Sequence, residues 1–167
     1  MHLKAIPRRR IRHRITALFG AFALAAGTLG FVAVLAPAAQ AATSGAITGY
    51  QGLCLDDRSS STTDLNPIQV YTCNGTNAQQ WTVAPGNTLQ VLGMCLDVDA
   101  AGTADGTLVD LYTCNGTGAQ EWVPQSNGEL VNPNSGKCLD DTGWGGSGTQ
   151  VQIWACADTS NQQWTLP

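Results

Sequence analysis

The chain has 167 residues, with eight Lys and Arg against twelve Asp and Glu. Six of the basic residues fall in the first 14 positions, so residues 42–167 keep only Arg58 and Lys137 against all twelve acids, a formal charge of −10. A segment this acidic repels phosphate, which sets aside nucleic acid and anionic lipid as partners. Its 126 residues suit one compact domain that buries about two-thirds of its unfolded-chain surface.

The chain opens with Lys4, Arg8, Arg9, Arg10, Arg12 and Arg14, then runs uncharged from Ile15 to Ala36, rich in Ala, Leu, Phe and Gly. Pro37 breaks the run, and Ala39-Gln40-Ala41 fits the small-residue cleavage pattern. The sequence predicts a signal peptide over 1–41, cleavage before Ala42, and a secreted, extracellular protein free of the membrane afterwards. The competing reading is an uncleaved anchor, since ~18 apolar residues can span a bilayer. The triple Arg lacks the rest of a twin-arginine motif, so the export route stays open.

From residue 44 the chain repeats itself three times. "GLCLDD" at 52–57 returns as "GMCLDV" at 93–98 and "GKCLDD" at 136–141. "VYTCNGTNAQQW" at 70–81 returns as "LYTCNGTGAQEW" at 111–122 and "IWACADTSNQQW" at 153–164. The units are roughly 44–84, 85–126 and 127–167. A period near forty means that no unit folds alone and the three share a core. Within each unit the period is two, the signature of strands. Ile68 and Val70 alternate with Gln69 and Tyr71, Val109 and Leu111 with Asp110 and Tyr112, and Val151 and Ile153 with Gln152 and Trp154. Turn-rich stretches such as "DAAGTADGT" and "DTGWGGSGT" separate the strands. The expectation is an all-β domain of about twelve short strands with pseudo-threefold symmetry.

Six Cys follow the leader: Cys54, Cys73, Cys95, Cys114, Cys138 and Cys156. An even count in an exported domain reads as disulfides. The repeat assigns one pair per unit, 54–73, 95–114 and 138–156, with gaps of 19, 19 and 18. Each bridge would stabilise by roughly 3 kcal/mol in the chain-entropy model. A zinc site is rejected, because there is no C-x-x-C pair and no His after the leader. No metal and no cofactor are expected. Asp97-Val-Asp99 begins like a calcium loop, but Ala101 and Leu108 stand where ligands belong. Asn74-Gly75-Thr76 and Asn115-Gly116-Thr117 match a glycosylation sequon and are read instead as turns.

C-L-D, an apolar–polar–apolar–aromatic strand, Cys and then Gln-x-Trp, three times in register, resembles the ricin B-type lectin domain, also known as carbohydrate-binding module family 13. The likeness covers 44–167 and includes Gln79-Gln80-Trp81, Gln120-Glu121-Trp122 and Gln162-Gln163-Trp164. It implies a β-trefoil, six strands in a short barrel and six in hairpins that cap one end. It also implies up to three shallow sugar sites, α, β and γ along the chain. Trp81, Trp122 and Trp164 are then core, while Gln79, Gln120 and Gln162 brace a turn and border a site. The pocket positions carry over as Asp56, Gln69 and Tyr71 in α, as Asp97, Asp110 and Tyr112 in β, and as Asp140, Gln152, Trp154 and Asn161 in γ. Ala78 and Ala119 stand where γ has Asn161, so γ matches fully, α nearly and β least.

These residue types suit a neutral sugar. An aromatic ring covers the sugar's C–H face, and Tyr and Trp freeze few rotatable bonds in doing so. Ionised Asp only accepts, so its two oxygens take adjacent hydroxyls in charge-assisted bonds. Asn and Gln both donate and accept. Three weak sites on one polymer gain by effective concentration. The expected function is that of a monomeric lectin for galactose-type or xylan-type glycans. Trp144, in the Gly-rich loop, is either an added platform or a residue folded onto the barrel. No catalytic set is visible, since no His follows the leader, every Cys has a partner, and Asp56-Asp57 and Asp140-Asp141 are strand neighbours that point to opposite faces. No second domain or linker is read in the sequence. The alternatives are a β-trefoil that binds protein, such as a protease inhibitor, and a targeting module derived from a glycoside hydrolase.

Overall fold

The computed structural model describes residues 42–167; the expected signal peptide, 1–41, lies outside the described residues. Among the described residues the regular elements are eleven strands and seven short 3-10 turns. The strands are β1 (Thr43–Gly45), β2 (Cys54–Asp57), β3 (Asn66–Tyr71), β4 (Trp81–Ala84), β5 (Thr88–Val91), β6 (Met94–Val98), β7 (Val109–Tyr112), β8 (Val123–Pro124), β9 (Leu130–Asn132), β10 (Lys137–Asp141) and β11 (Thr149–Trp154).

The three longest pairings, β2 with β3, β6 with β7 and β10 with β11, are the same hairpin written three times. They close on one another in a ring. The start of β3 pairs with β7, the start of β11 pairs with β3, and Leu108, just before β7, bridges to Gln152 on β11. Each junction is led by a residue with left-handed φ, namely Leu65 (67°), Gly106 (84°) and Gly148 (99°). Their N–H groups donate to the carbonyls of Leu111, Ile153 and Val70 at 2.8, 2.9 and 2.7 Å. One residue earlier, a side chain ties each unit to the next. Asp64 Oδ1 accepts from Thr113 N at 2.7 Å, Asp105 Oδ1 from Ala155 N at 2.8 Å, and Ser147 Oγ from Thr72 N at 3.0 Å. Threefold symmetry is therefore built into backbone, side chain and turn conformation together.

The remaining strands cap the barrel. Thr82, at the end of the first unit, opposes Gln90 of the second, and Val123, at the end of the second, opposes Val131 of the third. The matching pair is Thr165 with Thr48, so the end of the third unit pairs with the start of the first. β1 pairs with β4 instead and lies outside the threefold plan. About twelve strands were expected; ten of the eleven follow that plan, and the segments at Thr48 and Thr165 complete it through isolated bridges.

The core is a stack of equivalent triplets, all buried: Ile47, Leu89 and Leu130; Leu55, Leu96 and Leu139; Val70, Leu111 and Ile153. Trp81, Trp122 and Trp164 close it at 0, 1 and 5% exposure, the core role read from the sequence. A buried indole N–H needs an acceptor, and each finds the same one. The donors point at the carbonyls of Leu55, Leu96 and Leu139 at 2.9, 3.0 and 3.0 Å. Thus each Gln-x-Trp locks onto the C-L-D strand of its own unit. The three disulfides pair 54–73, 95–114 and 138–156, each with Cα atoms 5.1 Å apart. Each ties a buried strand start to the exposed loop that precedes Gln-x-Trp. Eighteen or nineteen residues of turn-rich chain are held at their ends in this way.

Candidate functional site

The antiparallel register sets the C-L-D acid directly opposite the polar residue of the partner strand. Asp56 faces Gln69, Asp97 faces Asp110, and Asp140 faces Gln152. Two residues on, where alternation returns to the same side, stand Tyr71, Tyr112 and Trp154. Tyr71 is 40% exposed and Trp154 45%, which leaves a ring face open above a buried acid.

In the third unit all five expected residues, Asp140, Gln152, Trp154, Asn161 and Gln162, line one cleft of about 460 Å³. Gln152 Nε2 donates to Asp140 Oδ1 at 3.0 Å; Asn161 Nδ2 and Gln162 Nε2 donate to Oδ2 at 2.8 and 2.9 Å. Gln162 also spans its own turn, from the Ala155 carbonyl to the Ala157 N–H. Three amides thus fill about three of the roughly four lone-pair sites of the carboxylate. The acid was expected to take two hydroxyls; the fold leaves it room for about one. The amide acceptors beside it are Gln152 Oε1 and Asn161 Oδ1, the latter already bonded by Thr159 Oγ1 at 2.7 Å.

The first unit builds a smaller cleft of about 310 Å³ with Asp56, Gln69 and Tyr71 in its wall. Gln69 and Gln79 each donate to Asp56 at 2.9 Å, and no Asn adds a third bond. Ala78 stands there, and the neighbouring Asn77 is exposed. Arg58, not foreseen, enters this wall; its Nε donates to Gln69 Oε1 at 3.0 Å and fixes the amide orientation. Its counterparts are Asp99 and Thr142, so the three clefts carry a positive, a negative and a neutral side chain at this position.

The second unit departs most. Its cleft of about 470 Å³ is lined by Asp97 and Tyr112, together with Leu65 and Asp99, and the expected Asp110 and Gln120 are not among its lining residues. Asp110 is 4% exposed, and its Oδ1 has no hydrogen-bond partner. Burial pushes its carboxyl up to about 7, with repulsion from Asp97, Asp99 and Asp64 adding to the rise. Asp97 is also raised, first by burial, while a hydrogen bond from Gln120 pulls it back. Where α and γ set an amide donor against the acid, β sets a second acid.

Two strand neighbours of these acids, Asp57 and Asp141, are fully buried on the opposite side, as alternation predicts. Burial pushes each up to about 6. Trp144 lines the γ cleft at 47% exposure, with its ring edge-on to Tyr50 at 5.1 Å. The sequence flagged its loop but not its destination, because Tyr50 comes from the first unit.

The family description "ricin-type beta-trefoil lectin domain" matches residues 43–164, and the chain belongs to that family. Serine protease 1 of Rarobacter faecitabidus is 47% identical over 118 residues, 71% of this chain and 22% of that protein. A glucan endo-1,3-beta-glucosidase of Cellulosimicrobium cellulans is 56% identical over 108 residues, 64% of this chain and 20% of that one. The chain therefore spans about a fifth of the length of these curated relatives. Among solved structures, a non-toxic homologue of type II RIPs from Momordica charantia, in complex with α-methyl-D-galactoside, superposes with a TM-score of 0.67 at 26% identity, over 74% of this chain and 47% of that one.

Proposed function

We propose that this protein is a secreted, monomeric carbohydrate-binding module without catalytic activity. It holds neutral galactose-type or xylan-type glycans in up to three shallow clefts, γ foremost. The observation that carries the reading is the γ constellation, a buried carboxylate fixed by three amides beside an exposed Trp. Fixed polar groups beside an open aromatic face suit a pyranose, whose hydroxyls and C–H patch lie on adjacent surfaces. Asp140 is the one carboxylate in the γ wall, whereas glycoside hydrolysis needs two across the bond.

The likeness to a glucan endo-1,3-beta-glucosidase favours a module of the kind that brings a polysaccharide-degrading activity to its substrate. The structural relative that carries a galactoside keeps galactose-type sugars within the expected range.

Retention on insoluble galactan and xylan, with Trp154→Ala beside the unaltered protein, tests the proposal. Retention on one of the polymers, weakened by the substitution, is the expected result. A folded protein that ignores every neutral glycan would overturn it and favour the protein-binding alternative.

A further inference from the structure

Trp144 sits at a position where the other two units carry Ser60 and Ala101. All three have left-handed φ, at 53°, 52° and 58°. Small residues tolerate that conformation better than a bulky one, so Trp144 bears a backbone cost that Ser60 and Ala101 bear less. Trp144 is also among the most exposed large apolar residues of the described chain, at 47%. Its aromatic neighbour is Tyr50, edge-on at 5.1 Å. Three unfavourable features, namely backbone conformation, bulk and exposure, are thus kept together at the wall of one cleft.

The position of Tyr50 gives that wall a direction. Tyr50 lines a second cavity of about 450 Å³, with Gly128, Ser160 and Gln163 among its other residues. Ser160 belongs to the same short turn, Ser160–Gln162, that sends Asn161 and Gln162 into the γ cleft. The two cavities therefore share one turn, and the Trp144–Tyr50 pair stands between them. Neither Ser60 nor Ala101 can build such a ledge, because neither has a ring.

We propose that Trp144 and Tyr50 form a second sugar subsite that extends the γ cleft, so that γ holds at least two consecutive pyranose units of a glycan chain. One unit lies on Trp154 at Asp140; the next lies across Trp144 toward Tyr50. The α and β clefts, lacking the ledge, hold single units. This inference rests on the carbohydrate-binding reading and adds chain-length selectivity to it.

The test is calorimetric titration with two ladders, galactose with its β-linked di- and trisaccharides and xylose with xylobiose and xylotriose. The variants are Trp144→Ala, Trp144→Phe and Trp144→Gly. The unaltered protein gains affinity from one sugar unit to two in the ladder it recognises. Trp144→Ala loses about fivefold to tenfold of disaccharide affinity and keeps monosaccharide affinity within about twofold. Trp144→Phe retains most of the gain. Trp144→Gly, which relieves the left-handed backbone, melts no lower than the parent and still loses the gain. Equal affinity for one and two units in the unaltered protein overturns the subsite, as does an equal loss for both lengths in Trp144→Ala. Failure of every sugar to bind overturns the parent reading as well, whereas intact monosaccharide binding without a length effect overturns only the subsite.

Discussion

Asp97 and Asp110 stand directly opposite each other on β6 and β7, at the one place where the other two units set an acid against an amide. Both are nearly buried, and Asp110 has an oxygen without a partner. Like charges opposite on paired strands destabilise a sheet, so the pair is comfortable only while it holds a proton.

Stability should therefore fall as pH rises. The carboxyl of Asp110 is pushed up to about 7, and those of Asp57 and Asp141 to about 6, against an ordinary 3.8. Between about pH 4 and 7 the folded protein binds more protons than the unfolded chain, which stabilises the fold at the acid end and loses that contribution on the way up. Melting temperature from pH 4 to 8 checks this; a flat or rising profile contradicts it. The exposed Asp105, whose carboxyl is lowered by Lys137 at 2.6 Å, acts in the opposite sense below its ordinary range.

Asp110→Gln should restore what α and γ already have. Its amide would donate to Asp97 as Gln69 donates to Asp56 and Gln152 to Asp140. Satisfying a buried carboxylate and removing a like charge should add about 1–3 kcal/mol at pH 8. At pH 5, where the carboxyl is protonated, the gain should be small. Denaturant unfolding at the two pH values measures the difference.

Trp122→Phe should cost more than its lost area suggests. It leaves the Leu96 carbonyl without the indole donor that lies 3.0 Å away. A loss of about 2 kcal/mol or more is expected, with sugar binding at γ unchanged. Chemical denaturation and a glycan titration on the same variant separate the two effects.

Gly49→Ala should be poorly tolerated. A Cβ there would meet the Trp164 ring at 2.7 Å, beside the pairing of Thr48 with Thr165 that joins the first unit to the third. Trp164 is core and has little freedom to shift, so a loss of about 1–3 kcal/mol follows. A thermal melt that matches the parent contradicts this packing.

Much of this was legible in the chain because each unit is written three times. The Gln-x-Trp and C-L-D motifs placed Trp81, Trp122 and Trp164 in the core and paired the cysteines, since both features are local and repeat in register. The strand alternation likewise put Gln152 and Trp154 on one side of β11. What could not be read were contacts between units. Tyr50 meets Trp144 across a junction 94 positions long in sequence, and Thr165 of the third unit pairs with Thr48 of the first. Nor could the alternation reveal that three amides would share Asp140, because the count depends on how the turn of Asn161 and Gln162 folds back over β10. The loss of a donor at Asp110 was visible as a substitution, but its unpartnered oxygen was not.

The most direct test is an NMR titration of the oxidised protein with galactose-type and xylose-type sugars, following the side-chain amides of Gln152, Asn161 and Gln162. The expected result is saturable shifts of these amides and of the Trp154 indole with one of the sugar classes, the amide shifts being lost in Trp154→Ala while the fold persists. Spectra that do not change with any neutral sugar, or shifts that survive Trp154→Ala, would contradict the γ cleft as the binding site.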